Sequence, residues 1–244
     1  MPQIPPAPPL IAVPDVDAYD GPLLKGALAI IDRLAAHALT PDQYQDEIAG
    51  LFDRIDPVAA LRGWTEKCLA ERADQILYRK TTATTSVWFQ LLHLREHEVH
   101  PPHCHRNLIS NQVLLHGASW LREYDRVSRI DDDTVYTKLR SDGAMKVGGR
   151  IRTTELDRNA HWFCTDARQS VQLNFFIVGF QDWLFDAART GRRGRIYLDV
   201  TGPVTRDGLI ITKEISAEAA EAKFQNRHIT EFPLAPALHA DLAA

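Results

Sequence analysis

The chain lacks several features that would place it in a common class. Its 244 residues include three cysteines and no CxxC pair, which argues against a disulfide framework or a cysteine-based zinc knuckle. It has no apolar run of about 18 residues, so no membrane span is expected. The first residues have neither the basic nor the apolar segment of a signal peptide, and we expect a cytoplasmic protein. A formal net charge of −4 provides no basic field for binding a nucleic acid.

The rest of the composition is that of a globular protein, with 45% hydrophobic and 25% charged residues. Six of the first 14 residues are proline, so residues 1–20 are expected to form an extended or disordered arm. Helical periodicity follows over residues 21–75. Thr40 and Gln43 flank a helix-starting proline in a capping box, and Asp56-Pro57 repeats the start signal. We therefore expect N-terminal helices that pack on the domain that follows.

The apolar period changes near residue 76, from helical spacing to short runs of β-branched and aromatic residues. These runs are separated by Gly, Asp and Asn and continue to about residue 215, which is typical of an antiparallel sandwich or barrel. Residues 216–244 are predicted to form a short helix and a loosely ordered tail. The predicted fold is mainly β, a jelly-roll-like barrel over residues 76–215 with an N-terminal helical layer.

Histidine is unusually concentrated, with 10 in the chain and four of them between residues 97 and 105. His103 and His105 are separated by one residue. Because alternate side chains of a strand share a face, both imidazoles would point into the same space and form half of a transition-metal site. His161 precedes another apolar run and is a third possible ligand. A chance pair of surface histidines is the alternative interpretation of His103 and His105.

The order of these histidines resembles that of a cupin barrel. The His-x-His motif is followed by Gly117, twelve residues after His105, and then by the distant His161. Ser110 stands where a cupin usually has a glutamate after the second histidine. This set is similar to that of the cysteine dioxygenase family, the thiol dioxygenases, so the resemblance implies a metal held by His103, His105 and His161 without a carboxylate.

Further segments extend this resemblance over about residues 23–215. Tyr78-Arg79-Lys80 is similar to the segment with which the family binds the substrate carboxylate, and residues 105–125 and 185–191 are similar to two other stretches. The resemblance implies an iron(II)-dependent dioxygenase that oxidises a small thiol with O2 to a sulfinate. In such an enzyme Arg79 would hold the substrate carboxylate by a two-pronged contact.

One strand departs from the family's pattern. Where the family has a Ser-His-Tyr relay at alternate positions, this chain has Gln172, Asn174 and Phe176. We expect Asn174 and Gln172 to orient substrate or water as the catalytic pair, and Phe176 and Trp88 to contact the substrate. Because position 110 is serine, the Cys–Tyr crosslink of some members cannot form.

Three classes of function remain open at this point. The first is a three-histidine iron oxygenase of the thiol dioxygenase type. The second is a metal-dependent cupin oxygenase, lyase or isomerase that acts on a non-thiol small molecule. The third is a non-catalytic cupin that binds a small ligand. The first predicts a small-molecule substrate, O2 and Fe(II), no nucleic-acid or membrane partner, and a monomer or homodimer.

Overall fold

The computed structural model describes residues 14–82, 85–105, 108–154, 159–179 and 195–235. Residues 1–13 of the predicted arm and the similar segment at 185–191 therefore lie outside the described residues. Among the described helices, none has the length and apolar character needed to cross a membrane.

Four helices lie between the first and second strands of the chain. The hydroxyl of Thr40 accepts a hydrogen bond from the Gln43 N–H at 3.2 Å, and the Gln43 side chain accepts one from the Thr40 N–H at 2.9 Å. The predicted capping box is therefore confirmed. The third predicted helix is interrupted at Leu61, where a φ of −109° and ψ of 14° leave the helical region and the side chain is fully buried. The helices are α1 (Pro22–Ala35), α2 (Pro41–Arg54), α3 (Pro57–Ala60) and α4 (Arg62–Glu71).

Six antiparallel strands form a first sheet, called sheet A; strands are numbered in chain order. Its two-residue edge strand pairs with the next strand at Arg79 and Tyr78, so the end of the predicted arm is ordered as an extended segment. In spatial order the strands of sheet A are β1 (Val16–Asp17), β2 (Gln75–Thr81), β3 (Ser86–Arg95), β10 (Gln169–Val178), β5 (Leu108–His116) and β8 (Arg150–Thr153).

The other six strands form sheet B, whose pairings close into a ring because its last strand also pairs with its first. The two sheets and the preceding helices confirm the predicted mainly β fold with an N-terminal helical layer. In order around the ring the strands of sheet B are β4 (Val99–His105), β11 (Arg195–Asp199), β12 (Leu209–Ile215), β7 (Thr134–Lys146), β6 (Ala118–Arg129) and β9 (Ala160–Thr165).

The strands of sheet A bury both faces, and the two faces have different partners. One face of β3 and β10 packs against the helices in a single apolar cluster. Its fully buried side chains are odd-numbered and include Phe89, Leu91, Leu173 and Phe175. Successive side chains of a strand point to opposite faces. The even-numbered residues of the same strands therefore face sheet B, and the space between the two sheets contains the site described below.

The C-terminal residues pack on the other face of sheet B. The predicted C-terminal helix is present as α5 (Ala217–Phe224), and Ser216 caps it by accepting from the Ala219 N–H. Beyond α5, the ring of Phe232 lies 5.0 Å from that of Trp162 on β9, and its carbonyl accepts from Arg122 at 2.8 Å. The expectation of a loosely ordered tail is therefore wrong for residues 225–235, because this segment adds Ile229 and Phe232 to the core of sheet B.

Candidate metal centre and cavity

Three histidines of sheet B converge between the sheets. His103 on β4 lies directly opposite His161 on β9, and His105 follows His103 on the same face of β4. One nitrogen of each imidazole lies within 4.8 Å of the others, and the rings are 4.5–5.1 Å apart. All three side chains are buried. The three residues predicted as ligands therefore form a group that can hold a metal ion.

Neighbouring oxygens fix the orientation of two of these rings. Nδ1 of His103 lies 2.7 Å from the carbonyl oxygen of Pro101. A carbonyl only accepts, so Nδ1 donates and Nε2 keeps its lone pair. Nδ1 of His161 lies 3.3 Å from the hydroxyl of Thr153, and its buried Nε2 has no hydrogen-bond partner among the described residues. His103 is therefore held with Nε2 available as a ligand, and His161 offers Nε2 when its Nδ1 donates to the Thr153 hydroxyl.

Two of the three imidazoles are held neutral at physiological pH. Burial lowers the pKa of His161 to about 3, and the nearby guanidinium of Arg195 acts in the same direction. Burial also brings the pKa of His103 well below its usual value, again with a contribution from Arg195. Metal binding requires the neutral imidazole. His103 and His161 therefore need no deprotonation before they bind an ion.

The donor set fits a transition metal. Imidazole nitrogens suit iron(II), zinc, copper and nickel, whereas calcium and magnesium prefer oxygen ligands. No carboxylate is among the described residues that line the adjacent cavity. Three neutral ligands would leave the full charge of the ion in place and keep coordination positions open towards the cavity. This geometry supports a bound ion of an imidazole-binding metal.

A cavity of about 410 Å³ lies between sheets A and B, beside the three histidines. Its sheet A wall contains a row of three amides. Asn174 on β10 is directly opposite Gln90 on β3 and directly opposite Gln112 on β5. All three side chains line the cavity. Asn174 was predicted at the site, whereas Gln90 and Gln112 were not.

A second row lies next to the amides. Phe176 is directly opposite Trp88 on one side and Ser110 on the other, and the Trp88 and Phe176 rings stack at 5.6 Å. All three residues line the cavity. The two aromatic residues predicted to contact a substrate therefore lie where a ligand would meet them.

Gln172 does not line the cavity, although its neighbour in register on β3, Leu92, does. Its neighbours in register are Leu92 and Leu114, and its side chain is fully buried. Neither amide atom of Gln172 has a hydrogen-bond partner among the described residues. Because Gln172 and Asn174 are two residues apart on one strand, they share a face, but only Asn174 lines the cavity.

The contacts of Arg79 differ from those expected of a residue that binds a substrate carboxylate. Its Nε and Nη2 donate to the carbonyl oxygen of Pro14 at 2.8 and 2.5 Å. Its guanidinium also lies 4.7 Å from the centre of the Trp88 ring. Arg79 is not among the described residues that line the cavity. In this arrangement it ties the N-terminal segment to the sheet and packs on Trp88.

Two other basic side chains line the cavity. Arg195 on β11 is directly opposite His105. His100 on β4 stacks on Phe163 at 4.4 Å, and its Nε2 lies 3.7 Å from a carboxylate oxygen of Glu98. Arg195 was missed because only the pairing of β11 with β4 brings it to the site. The sequence signal for it was an arginine at the start of a predicted strand.

No family model matches the sequence, and no curated protein matches it. Similar solved structures include the cupin domain of Schizosaccharomyces pombe Cnp3, which is 9% identical over 42% of this chain and 60% of that one, with a TM-score of 0.29. Vicilin from Capsicum annuum is 12% identical over 66% and 38%, with a TM-score of 0.34. Recombinant oxalate oxidase in complex with glycolate is 10% identical over 39% and 43%, with a TM-score of 0.27.

This chain spans less than two thirds of each of those three proteins. The similar structures are cupin-fold proteins, but the likeness is distant, and we rest the fold class on the strand order and pairing given above. The fold and site together define a two-sheeted β-barrel protein with a three-histidine group capable of binding a metal.

Proposed function

We propose that this protein is an iron(II)-dependent dioxygenase that oxidises a small, carboxylate-bearing thiol with O2 to a sulfinate. The observation that carries the proposal is the convergence of three buried imidazoles beside a cavity of about 410 Å³, with no carboxylate among the described lining residues. Both atoms of O2 are added to the sulfur, so RSH and O2 give RSO2H, and no further reductant is consumed.

The residues of the site have separable roles in this proposal. His103, His105 and His161 would hold the iron, which when bound supplies the redox chemistry for O2 and favours the thiolate form of the substrate. Arg195 provides the positive charge that would attract the substrate carboxylate. Trp88 and the neighbouring Phe176 would pack against the carbon chain and exclude water from it.

The expected partners, oligomeric state and cellular location are part of this proposal. The partners would be the thiol and O2, and the protein would act as a monomer or a homodimer. A cytoplasmic location agrees with three buried cysteines that form no disulfide. Size exclusion with light scattering would determine the oligomeric state.

Metal analysis and oxygen consumption test the proposal together. We expect about one iron per chain in the purified protein, by analogy with a single three-histidine site. Oxygen uptake would be measured with cysteine, cysteamine, 3-mercaptopropionate and mercaptosuccinate, with the sulfinate product quantified by mass spectrometry. Equal amounts of O2 consumed and sulfinate formed support the proposal. An iron-loaded protein that consumes no O2 with any thiol contradicts it.

A metal-dependent oxygenase, lyase or isomerase acting on a non-thiol molecule is the second candidate. It is favoured by the sheet A wall, where the amide row and the aromatic row provide no titratable side chain among the described residues. In a lyase or isomerase the bound metal would act as a Lewis acid. Zinc or nickel in the purified protein and full activity without O2 would favour that function over the dioxygenase.

A further inference from the structure

The sheet A wall of the cavity contains three buried oxygen atoms without a hydrogen-bond partner among the described residues. They are Oγ of Ser110, Oε1 of Gln112 and Oδ1 of Asn174. Ser110 is 2% exposed and Gln112 is 5% exposed, so bulk water does not reach them freely. Burying a polar atom without a partner costs free energy. The two amide oxygens only accept hydrogen bonds, and the Ser110 hydroxyl can accept as well as donate. A ligand that donates hydrogen bonds would therefore recover that free energy.

The three atoms belong to one patch. Gln112 lies directly opposite Asn174, and Ser110 is two residues from Gln112 on the same face of β5. All three side chains line the cavity that also contacts the histidines of sheet B. A small molecule held at the three-histidine site therefore meets this patch, which we call the acceptor patch, on the opposite wall.

The charge of the cavity restricts what the acceptor patch can bind. The patch itself is uncharged, the described lining contains no aspartate or glutamate, and Arg195 adds a positive charge. An ammonium group placed there would have no carboxylate to pair with and would be repelled by Arg195 and by a bound metal ion. A hydroxyl or an amide N–H donates a hydrogen bond without that repulsion.

We propose that Ser110, Gln112 and Asn174 recognise an uncharged hydrogen-bond donor of the substrate. This inference rests on the proposed function and makes it more specific. The substrate class is a small carboxylate-bearing thiol that also carries a hydroxyl or amide N–H, with the thiol at the histidines and the neutral donor at the acceptor patch.

Three ligands that differ in one substituent test this inference. 3-Mercaptopropionate, 3-mercaptolactate and cysteine carry hydrogen, hydroxyl and ammonium, respectively, on the same carbon. Binding to the purified metal-containing protein would be measured by calorimetry without O2, so that no turnover occurs. We expect 3-mercaptolactate to bind about 10-fold more tightly than the other two, the effect of one hydrogen bond to a buried acceptor. Equal Kd values, tightest binding of cysteine, or no binding by any of the three at millimolar concentration would overturn the inference.

A substitution in the patch separates recognition from a structural role. Gln112→Met keeps the length of the side chain and removes the amide. We expect it to reduce the preference for 3-mercaptolactate to within about two-fold, while the Kd of 3-mercaptopropionate is unchanged. Its Tm is expected to stay the same or rise, because a buried oxygen without a partner is removed. A retained preference in a folded Gln112→Met protein is incompatible with the inference.

Gln75 offers a matched control. It is also a buried glutamine, but its Nε2 donates to a carboxylate oxygen of Glu71 at 2.9 Å and to the carbonyl oxygen of Ala73 at 3.3 Å, and it is not among the described residues that line the cavity. Gln75→Met should lower the Tm and keep the preference for 3-mercaptolactate. Loss of the preference in both variants would assign it to general packing and overturn the inference. If Gln112→Met does not fold, Ser110→Ala makes the smaller change in the same patch, and a preference it leaves undiminished would count against the inference.

The two proposals can fail separately. The ligand preference is measured without O2, whereas the proposed function is measured as O2 uptake. A preference for 3-mercaptolactate without O2 uptake would refute thiol oxidation and keep the acceptor patch. Oxygen uptake with equal affinity for the three thiols would support the proposed dioxygenase and refute recognition by the acceptor patch.

Discussion

The two walls of the cavity are built from antiparallel strands but differ in chemistry. The sheet B wall presents His103, His105 and His161, with two of the rings oriented by a carbonyl and a hydroxyl. The sheet A wall presents neutral amides and stacked aromatic rings. Metal binding and ligand recognition are thus assigned to different sheets. This separation implies that a change among the lining side chains of one wall should leave the property of the other wall intact. Thr153 is an exception, because it lies on β8 of sheet A and contacts His161.

Removing one histidine is expected to have the largest effect. His105→Ala takes away one of three ligands and should reduce the metal content from about one per chain to near zero, since two imidazoles hold an ion weakly. Metal would be measured by mass spectrometry after dialysis. His116→Ala, at an exposed histidine at the end of β5, is the control and should keep its metal. An ion retained by folded His105→Ala would show that the ligand set has been assigned incorrectly.

Phe175 and Asn174 are neighbours on β10 that point to opposite faces of sheet A, so substituting each one compares the contributions of the two faces to stability. Phe175 is fully buried against the helical layer and packs edge-on against Phe89 at 5.4 Å, whereas Asn174 faces the cavity. Phe175→Ala should lower the free energy of unfolding by about 3–5 kcal/mol through the cavity it leaves. Asn174→Leu should change it by about 1 kcal/mol or less. Urea unfolding would measure both.

The same pair should show the opposite order in ligand binding. Asn174→Leu should weaken binding of 3-mercaptolactate, and folded Phe175→Ala should bind it as the unmodified protein does. Both should keep their metal, since neither residue belongs to the sheet B wall. Weaker ligand binding in Phe175→Ala alone would mean that the two faces of the sheet are not independent.

The fold could be predicted where the signals are local. Thr40 and Gln43 cap α2 as predicted, because a capping box involves residues that are close in sequence. The local signals are weaker for β4 and β9. β4 contains Pro101 and Pro102, which cannot donate to a ladder, and its pairing with β9 is irregular between His100 and His103. All six residues of β9 are buried, so it shows no alternation of polar and apolar residues.

The site was predictable to the extent that a strand places alternate residues together. This rule places His103 and His105 on one face of a strand. Gln90 and Gln112 were missed because a polar residue in an alternating strand can face either the solvent or an internal cavity, and the sequence pattern is the same in both cases. Arg79 could not be placed, because its partner Pro14 is 65 residues away in the sequence. Long-range pairings of this kind are visible only in the folded chain.

The hydroxyl of Thr153 tests how strongly the sheet B site depends on its supporting groups. Thr153→Val removes the partner of His161 Nδ1 and should weaken metal binding by about 10-fold, as expected for a residue that orients a ligand. Competition with a chelator would measure the change. Thr137→Val is the matched control: it removes a buried hydroxyl that contacts Thr212 at 2.7 Å, far from any histidine contact. Equal metal affinity in the two variants would mean that the Thr153 contact does not support the site.

The smallest effect on ligand affinity is expected from substitution of the two arginines. Comparing Arg195 with Arg79 shows which of them binds the substrate carboxylate. Arg195 lines it and is exposed, so Arg195→Met should raise the Kd of 3-mercaptopropionate by only about five-fold, as for a solvent-screened ion pair. The Kd of uncharged 2-mercaptoethanol should not change. Arg79→Met should lower the Tm, because the contacts with Pro14 and Trp88 are lost, and leave both Kd values unchanged. A larger rise in Kd for Arg79→Met than for Arg195→Met would return the carboxylate-binding role to Arg79.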